Sequence, residues 1–146
     1  MEPIKDYKDL LLLLDVIHLN WPKGPFRPSE FFLSSTADKL GISNFPDDPE
    51  VLFNLHKLVS NILVPVRKRI NMPIIISSGY RCPKLNTAVG GAAHSYHMLG
   101  RAVDIYCANN KTLDEAIVAV NDVNLKAQLP VLKEFIRYKN FIHIAL

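Results

Sequence analysis

The stretch Ser95–Ile105 constrains the fold more than any other part of the chain, because it places a histidine and an aspartate on either side of a glycine. His97 precedes Gly100, and Asp104 follows it. Residues 101–107 alternate as expected of a short β-strand in which Asp104 and every second residue share one face. The two side chains can meet only if the intervening loop doubles back. Gly100 permits this, because glycine tolerates backbone angles that other residues avoid.

A further histidine, His143, interrupts the apolar run from Phe141 to Leu146 near the end of the sequence. Two imidazole nitrogens and one carboxylate oxygen suit zinc, with a water in the open fourth position. The sequence therefore predicts a zinc site made by His97, Asp104 and His143. On spacing alone the alternative is structural: the three are core or edge polar residues, with Asp104 paired to a nearby arginine.

The length of 146 residues predicts one domain over 1–146 with a sizeable core, in which 1–28 form an N-terminal extension packed on the rest. Apolar residues make up 49% and charged residues 21%, as in soluble globular proteins. The net charge of +3 is spread without interleaved aromatic residues, so no nucleic-acid partner is predicted. No segment approaches the roughly 20 apolar residues that span a bilayer, so no membrane insertion is predicted.

Two local features have alternative interpretations. Acidic residues flank the apolar run Leu10–Leu14, which favours a buried element over a targeting signal. Cys82 and Cys107 lie far apart in the chain and do not form a metal-binding pair. We expect free buried thiols, with a disulfide as the alternative if the fold brings the two together.

The order of elements, helices first and strands mainly later, predicts an α+β fold in which a small antiparallel sheet carries the zinc site and packs against N-terminal helices. The predicted helices cover residues 7–20 (alternatively a helix and a strand), 35–40, 48–71 and 112–120. Ser29-Glu30 should open another short helix, and residues 83–89 should form a helical turn. Asp48 is the expected N-cap of the longest helix, with Pro49 at its first position, and Pro65 should kink it. A capping box, Thr112–Glu115, should open the last helix. The predicted strands are a central one at 73–77, another at 101–107, and a hairpin of 132–138 and 141–146 with its turn at 139–140.

A wider pattern marks a family resemblance. The motif Ser95-x-His97-x-x-Gly100-x-Ala102-x-Asp104-Ile105 is preceded by Ser78-Gly-Tyr-Arg81 and followed by Phe141-Ile-His143-Ile. Over about residues 29–146 the chain resembles the metallopeptidase family of zinc D-Ala-D-Ala carboxypeptidases, D-Ala-D-Ala dipeptidases and phage L-alanyl-D-glutamate endolysins.

The resemblance implies roles for individual residues. His97, Asp104 and His143 would be the zinc ligands. Arg81 would bind or polarise the peptide carbonyl, which makes chemical sense because hydrolysis builds negative charge on that oxygen. Tyr80, Ser95 and His94 would contact the substrate. The alternatives are a structural ion pair for Arg81 and a surface position for His94.

The sequence departs from the family where the general base is expected. Family members commonly carry Glu or Asp shortly before the last histidine, three residues earlier in many of them, where this chain has Asn140. Residues 135–142 contain no acid, and an amide cannot accept a proton. Glu134 is the nearest candidate catalytic acid, although strand alternation alone does not place it near the metal. More distant candidates are Asp114, Glu115 and Asp122.

The resemblance therefore implies a zinc metallopeptidase that hydrolyses peptide bonds in peptidoglycan stem peptides, of the D-Ala-D-Ala carboxypeptidase or endolysin type. The alternative is a catalytically weak or inactive zinc-containing module that binds cell wall or belongs to a virion. We expect a monomer made in the cytoplasm without a signal peptide. It would act at the cell wall after release or as part of a phage particle.

Overall fold

The computed structural model describes residues 3–127 and 132–146, and these residues adopt the predicted α+β fold. Four antiparallel strands form one sheet in the order β1-β2-β4-β3. The strands are β1 (Ile75–Ser78), β2 (Ala102–Tyr106), β3 (Glu134–Arg137) and β4 (Ile142–Ala145). The helices are α1 (Tyr7–Val16), α2 (Ser35–Leu40), α3 (Glu50–Leu58), α4 (Val64–Ile70), α5 (Pro83–Ala88) and α6 (Asn110–Lys126). Two short 3₁₀ turns are formed by Pro28–Phe31 and Tyr96–Leu99.

The N-terminal helix α1 packs on the core through one face. Leu10 and Leu14 are buried, whereas Leu11 and Leu12 are exposed, so the apolar run is amphipathic and only half of it is inside. The helix ends at Val16, and the alternative of a strand over residues 17–20 is not realised.

The long predicted helix is present as α3, a π-helical segment (Val59–Leu63) and α4 in direct succession. Its start differs from the prediction by one residue, because Pro49 takes the N-cap position and the Asp48 carboxylate accepts the N–H of Glu50 at 2.9 Å. The π segment lies just before Pro65. A wider turn there accommodates a residue that has no N–H to donate, so the chain passes through the proline without ending the helix. Asn71 ends α4 with a φ of +50°.

The prediction of a central strand at 73–77 was wrong, because β1 lies at the edge of the described sheet. Ile74 is buried and precedes the strand, while Ile75 is 38% exposed. Three consecutive isoleucines alternate between core and solvent, so an unbroken apolar run did not mean burial on both faces.

The last helix begins earlier than the capping box suggested. Asn109 is the N-cap of α6, and its Oδ1 accepts the N–H of Thr112 at 2.9 Å. The helix also continues to Lys126, past the predicted end at Val120. The predicted C-terminal hairpin is confirmed with shorter strands, and Tyr138 N donates to Phe141 O at 2.9 Å to close its turn.

The core combines buried residues from α1, α3, the π segment, α6 and the inner face of the sheet. Ile142 and Ile144 of β4 and Val103 and Ile105 of β2 are fully buried. Cys82 and Cys107 are free and buried, as predicted. No helix within the described ranges is long and apolar enough to cross a membrane.

Candidate active site

One row of paired residues runs across the sheet and carries the candidate site. Asp104 in β2 lies directly opposite His143 in β4, and His143 lies opposite Ile136 in β3. Ser78 at the end of β1 is the partner of Asp104 on the other side. Residues paired in this way project to the same face of an antiparallel sheet. The strand register alone therefore brings Asp104 and His143 together, with His143 Nδ1 2.8 Å from Asp104 Oδ1.

His97 reaches the same point from the 3₁₀ turn rather than from a strand. Ser95 begins this turn, and its Oγ accepts the N–H of His97 at 3.2 Å. Gly100 ends it with a φ of +70°, as predicted for a loop that doubles back. A side chain at Gly100 would also collide with the carbonyl oxygen of Val51, so this position requires glycine on two grounds.

A backbone carbonyl fixes the orientation of the His97 ring. His97 Nδ1 donates to Gly79 O at 2.7 Å, since a carbonyl can only accept. The other nitrogen, Nε2, is thus left with its lone pair directed 3.3 Å from Asp104 Oδ1. Histidine ligands of metals generally hold their second nitrogen in such a hydrogen bond, which selects the tautomer.

The three side chains form a group that could bind a metal ion. Their ligand atoms all lie within 4.8 Å of one another. Atoms bonded to one tetrahedral zinc at about 2.0–2.1 Å lie roughly 3.3 Å apart. His97 Nε2 lies 3.3 Å from Asp104 Oδ1, and His143 Nδ1 lies closer to it, at 2.8 Å. All three side chains are mostly shielded from water. The donor set and its spacing fit zinc.

The electrostatics of the group favour an ionised Asp104. Burial raises the pKa of the Asp104 carboxyl, but the hydrogen bond with His143, together with the proximity of the His97 ring, outweighs burial and lowers the pKa to about 2. The hydrogen bond to Asp104 raises the pKa of His143, against the opposing effect of burial. An anionic carboxylate between two imidazoles is the charge state that a cation requires.

Glu134, in the edge strand β3, lies next to His143 of this group. It lies two residues before Ile136, so it shares a face with His143, and its Oε1 is 3.0 Å from His143 Nε2. The register of the hairpin therefore supplies the proximity that alternation alone could not. The other acids considered from the sequence, Asp114, Glu115 and Asp122, do not line the cavity. Asp114 pairs instead with Arg137. Asn140 is an exposed residue of the hairpin turn.

Arg81 is held above the group by several contacts. Its Nε donates to Ser78 Oγ at 3.0 Å, and its Nη2 lies 3.4 Å from Asp104 Oδ2. Its backbone N–H donates to His97 O at 3.1 Å. Burial lowers the pKa of the guanidinium, and the negative charge of Asp104 opposes this shift. The ion pair considered as an alternative role for Arg81 is thus part of the site itself.

Asn44 is a residue that the sequence did not single out, and it holds the turn that carries Arg81. It is buried, and its Nδ2 donates to Tyr80 O at 2.9 Å and to Phe32 O at 3.1 Å. Its Oδ1 accepts the N–H of Cys82 at 2.8 Å. Asn44 therefore bonds to the backbone on both sides of Arg81. No feature of the surrounding loop sequence marks this role.

Asn86 also contacts the guanidinium of Arg81. It is buried in α5, its Oδ1 lies 3.4 Å from Arg81 Nη1, and its Nδ2 donates to Ala92 O at 2.8 Å. A Cβ on Gly91 would overlap the Asn86 amide oxygen. This explains in part why the loop after α5 carries glycine at that position.

The group opens into a cavity of about 390 Å³. Of the residues predicted to contact substrate, Arg81, Ser95 and His94 line it, and His94 is exposed. Tyr80 does not line this cavity. Its ring is buried against Phe32 at 5.8 Å, and burial is the main cause that raises its pKa to about 12.

Two comparisons with known proteins bear on this site. The family model described as Peptidase M15 matches residues 25–145, which include the whole sheet and every residue of the group. The comparison with curated proteins gave no match.

Proposed function

Since this chain belongs to the peptidase M15 family, a family of zinc metallopeptidases, we propose that it hydrolyses peptide bonds in the stem peptides of peptidoglycan. The activity would be of the D-Ala-D-Ala carboxypeptidase or endolysin type. The convergence of His97, Asp104 and His143 beneath Arg81 in one open cavity is the observation that carries the proposal.

The zinc ligands in this proposal are His97 Nε2, Asp104 Oδ1 and His143 Nδ1. Zinc held there would supply a water of lowered pKa and would polarise the scissile carbonyl. The protein itself holds the imidazole rings of the two histidine ligands in a fixed orientation. Gly79 O holds the His97 ring, and Glu134 holds the His143 ring through Nε2.

Arg81 stabilises the negative charge that develops on the carbonyl oxygen during hydrolysis. Its guanidinium is fixed by Ser78, Asn86 and Asp104, so little reorganisation accompanies the reaction. Donors that are already oriented towards developing charge contribute most in sites that exclude water, and Arg81 is largely buried.

Glu134 is the proposed proton acceptor. Its carboxylate lines the cavity and is 39% exposed, so it can meet a water on the substrate side. It would take a proton from the attacking water and deliver it to the leaving amine. Only Oε1 is engaged with His143 among the described contacts, and Oε2 can act as the acceptor.

The second candidate function is a zinc-containing module that binds peptidoglycan and cuts it slowly or not at all. The bond between Glu134 and His143 favours it, because a carboxylate that orients a ligand ring is a weaker base than a free one. The net charge of +3 suits an anionic polymer in either case.

Incubation of the zinc-loaded protein with purified stem peptides, followed by mass spectrometry of the products, tests the proposal. We expect cleavage by the loaded protein and none after chelation. Retention on insoluble peptidoglycan without any product would instead establish the binding module. If the protein neither cleaves the peptides nor is retained on peptidoglycan, both functions are contradicted.

A further inference from the structure

On the side of the C-terminal hairpin that faces the cavity, the side chains change from charged to apolar along the hairpin. Glu134, Ile136 and Tyr138 alternate on one face of the β3 side, and Phe141 and His143 on the β4 side. The charged residues lie at the metal end of this face. The apolar residues lie towards the hairpin turn, and they form a wall of the cavity.

This wall is apolar and exposed, although neighbouring strand residues are buried. Ile136 is 41% and Tyr138 is 45% exposed. The ring of Tyr138 stacks on that of Phe141 with centroids 4.6 Å apart and planes 7° from parallel. Stacking fixes the two rings in place and leaves a preformed apolar surface beside the group.

A further apolar residue lines the same cavity as the wall. Val89, at the end of α5, is 44% exposed and lines the same cavity, followed by the small residues Gly90, Gly91 and Ala92. Charged side chains line the metal end of the cavity, where Arg81 and Glu134 lie. A ligand that spans the cavity thus meets charge at one end and apolar surface at the other.

We propose that the wall of Ile136, Tyr138 and Phe141, together with Val89, is a subsite that binds an apolar side chain next to the scissile bond. The inference rests on the proposed function and specifies its substrate: a peptide in which an apolar residue, rather than an acidic one, flanks the bond. Burial of one such side chain against exposed apolar surface improves binding by about tenfold or more.

The test uses N-acetylated tripeptides Ala-X-Ala with a free C-terminal carboxylate, in L and D forms, with X as Ala, Leu, Phe or Glu. Their binding to the metal-free protein is measured by competition with a fluorescent Leu peptide, and their hydrolysis by the zinc-loaded protein is measured separately. We expect Leu and Phe peptides to bind about tenfold tighter than Glu peptides. The substitutions Ile136→Ser and Tyr138→Ser should each remove most of this preference.

Val118→Ser is the matched control, because Val118 is an exposed apolar residue of α6 that lies outside the cavity. It should leave the preference unchanged. Thermal melts establish that the variants are folded, which their exposed positions favour. Because binding is measured on metal-free protein, the subsite is tested whether or not the chain is a peptidase.

Equal binding of Leu and Glu peptides would overturn the inference, as would a preference that survives both substitutions. Tight binding of a disaccharide that the same substitutions abolish would also overturn it, in favour of a glycan subsite. Preference for apolar peptides, with no hydrolysis of these or of purified stem peptides, would support the subsite and contradict the peptidase. Hydrolysis without a preference for apolar peptides would support the peptidase and contradict the subsite.

Discussion

Asp104 and His143 lie directly opposite each other in adjacent antiparallel strands, with Oδ1 and Nδ1 2.8 Å apart. The pair is thus set by the hydrogen-bond register of the sheet. Register is strongly specified here, because a slip of β4 by one residue would turn Ile142 and Ile144 out of the core and His143 into it. The forces that fold the sheet therefore also assemble two thirds of the candidate metal group.

Glu134→Gln separates the role of a proton acceptor from that of a ring support. The amide oxygen of glutamine can still accept the His143 hydrogen bond but cannot take a proton, so we expect kcat to fall about 100-fold or more with zinc content unchanged. Steady-state kinetics and metal analysis measure the two effects. Glu115→Gln, an exposed acid of α6, is the control. Full activity in the Glu134 variant would remove it from the mechanism.

Asn44→Ala should destabilise the metal-free protein by about 3 kcal/mol, because it leaves three backbone groups without their partner in a buried place. Urea denaturation gives the change in unfolding free energy. Asn54→Ala is matched to it, since Asn54 makes a single described bond, to Leu99 O at 2.8 Å, and should cost about 1 kcal/mol or less. Equal losses in the two variants would show that Asn44 has no special role.

Gly91→Ala should lower turnover about tenfold while zinc content stays the same. The new methyl group displaces the Asn86 amide, and Arg81 loses a support of its guanidinium. Misplacement of a positioned group by about 1 Å can cost up to 100-fold in rate. The neighbouring change Ala93→Ser, at an exposed position, should leave kinetics unaffected. A Gly91 variant as active as the wild type would contradict the support ascribed to Asn86.

Cys82 and Cys107 should react slowly with iodoacetamide in the native protein and rapidly in concentrated guanidinium chloride. Both are buried and free, and burial raises the pKa of Cys107, so less of the reactive thiolate is present. Mass spectrometry after timed alkylation counts the modified residues. Fast labelling of the native protein, or a non-reduced mass two hydrogens short, would contradict the structure.

The sequence predicted the parts of the site that depend on residue type and short spacing. His97, Gly100 and Asp104 lie within one short stretch, and the strand that carries His143 follows from the apolar run from Phe141 to Leu146. The glycine turn and the terminal hairpin were predicted for the same reason. Each is decided by local backbone preferences.

The parts that were missed, or left open as the placement of Glu134 was, depend on contacts between distant residues. Asn44 meets the backbone of Tyr80 from 36 positions away, and nothing near Asn44 marks that contact. Glu134 is close to His143 because of the hairpin register, which residue alternation alone does not give. β1 lies at the edge because β4, and not a further strand beside β1, completes the pairing of β2 in the described sheet. Tyr80 is buried because its ring packs against Phe32.

The central claim is that the group binds zinc, and the zinc content of the purified protein after exhaustive dialysis tests it most directly. We expect one zinc ion per chain in the wild type, a lower melting temperature after chelation, and almost no bound zinc in Asp104→Ala. A folded wild-type protein without zinc, or an Asp104→Ala variant that retains it equally, would contradict the account.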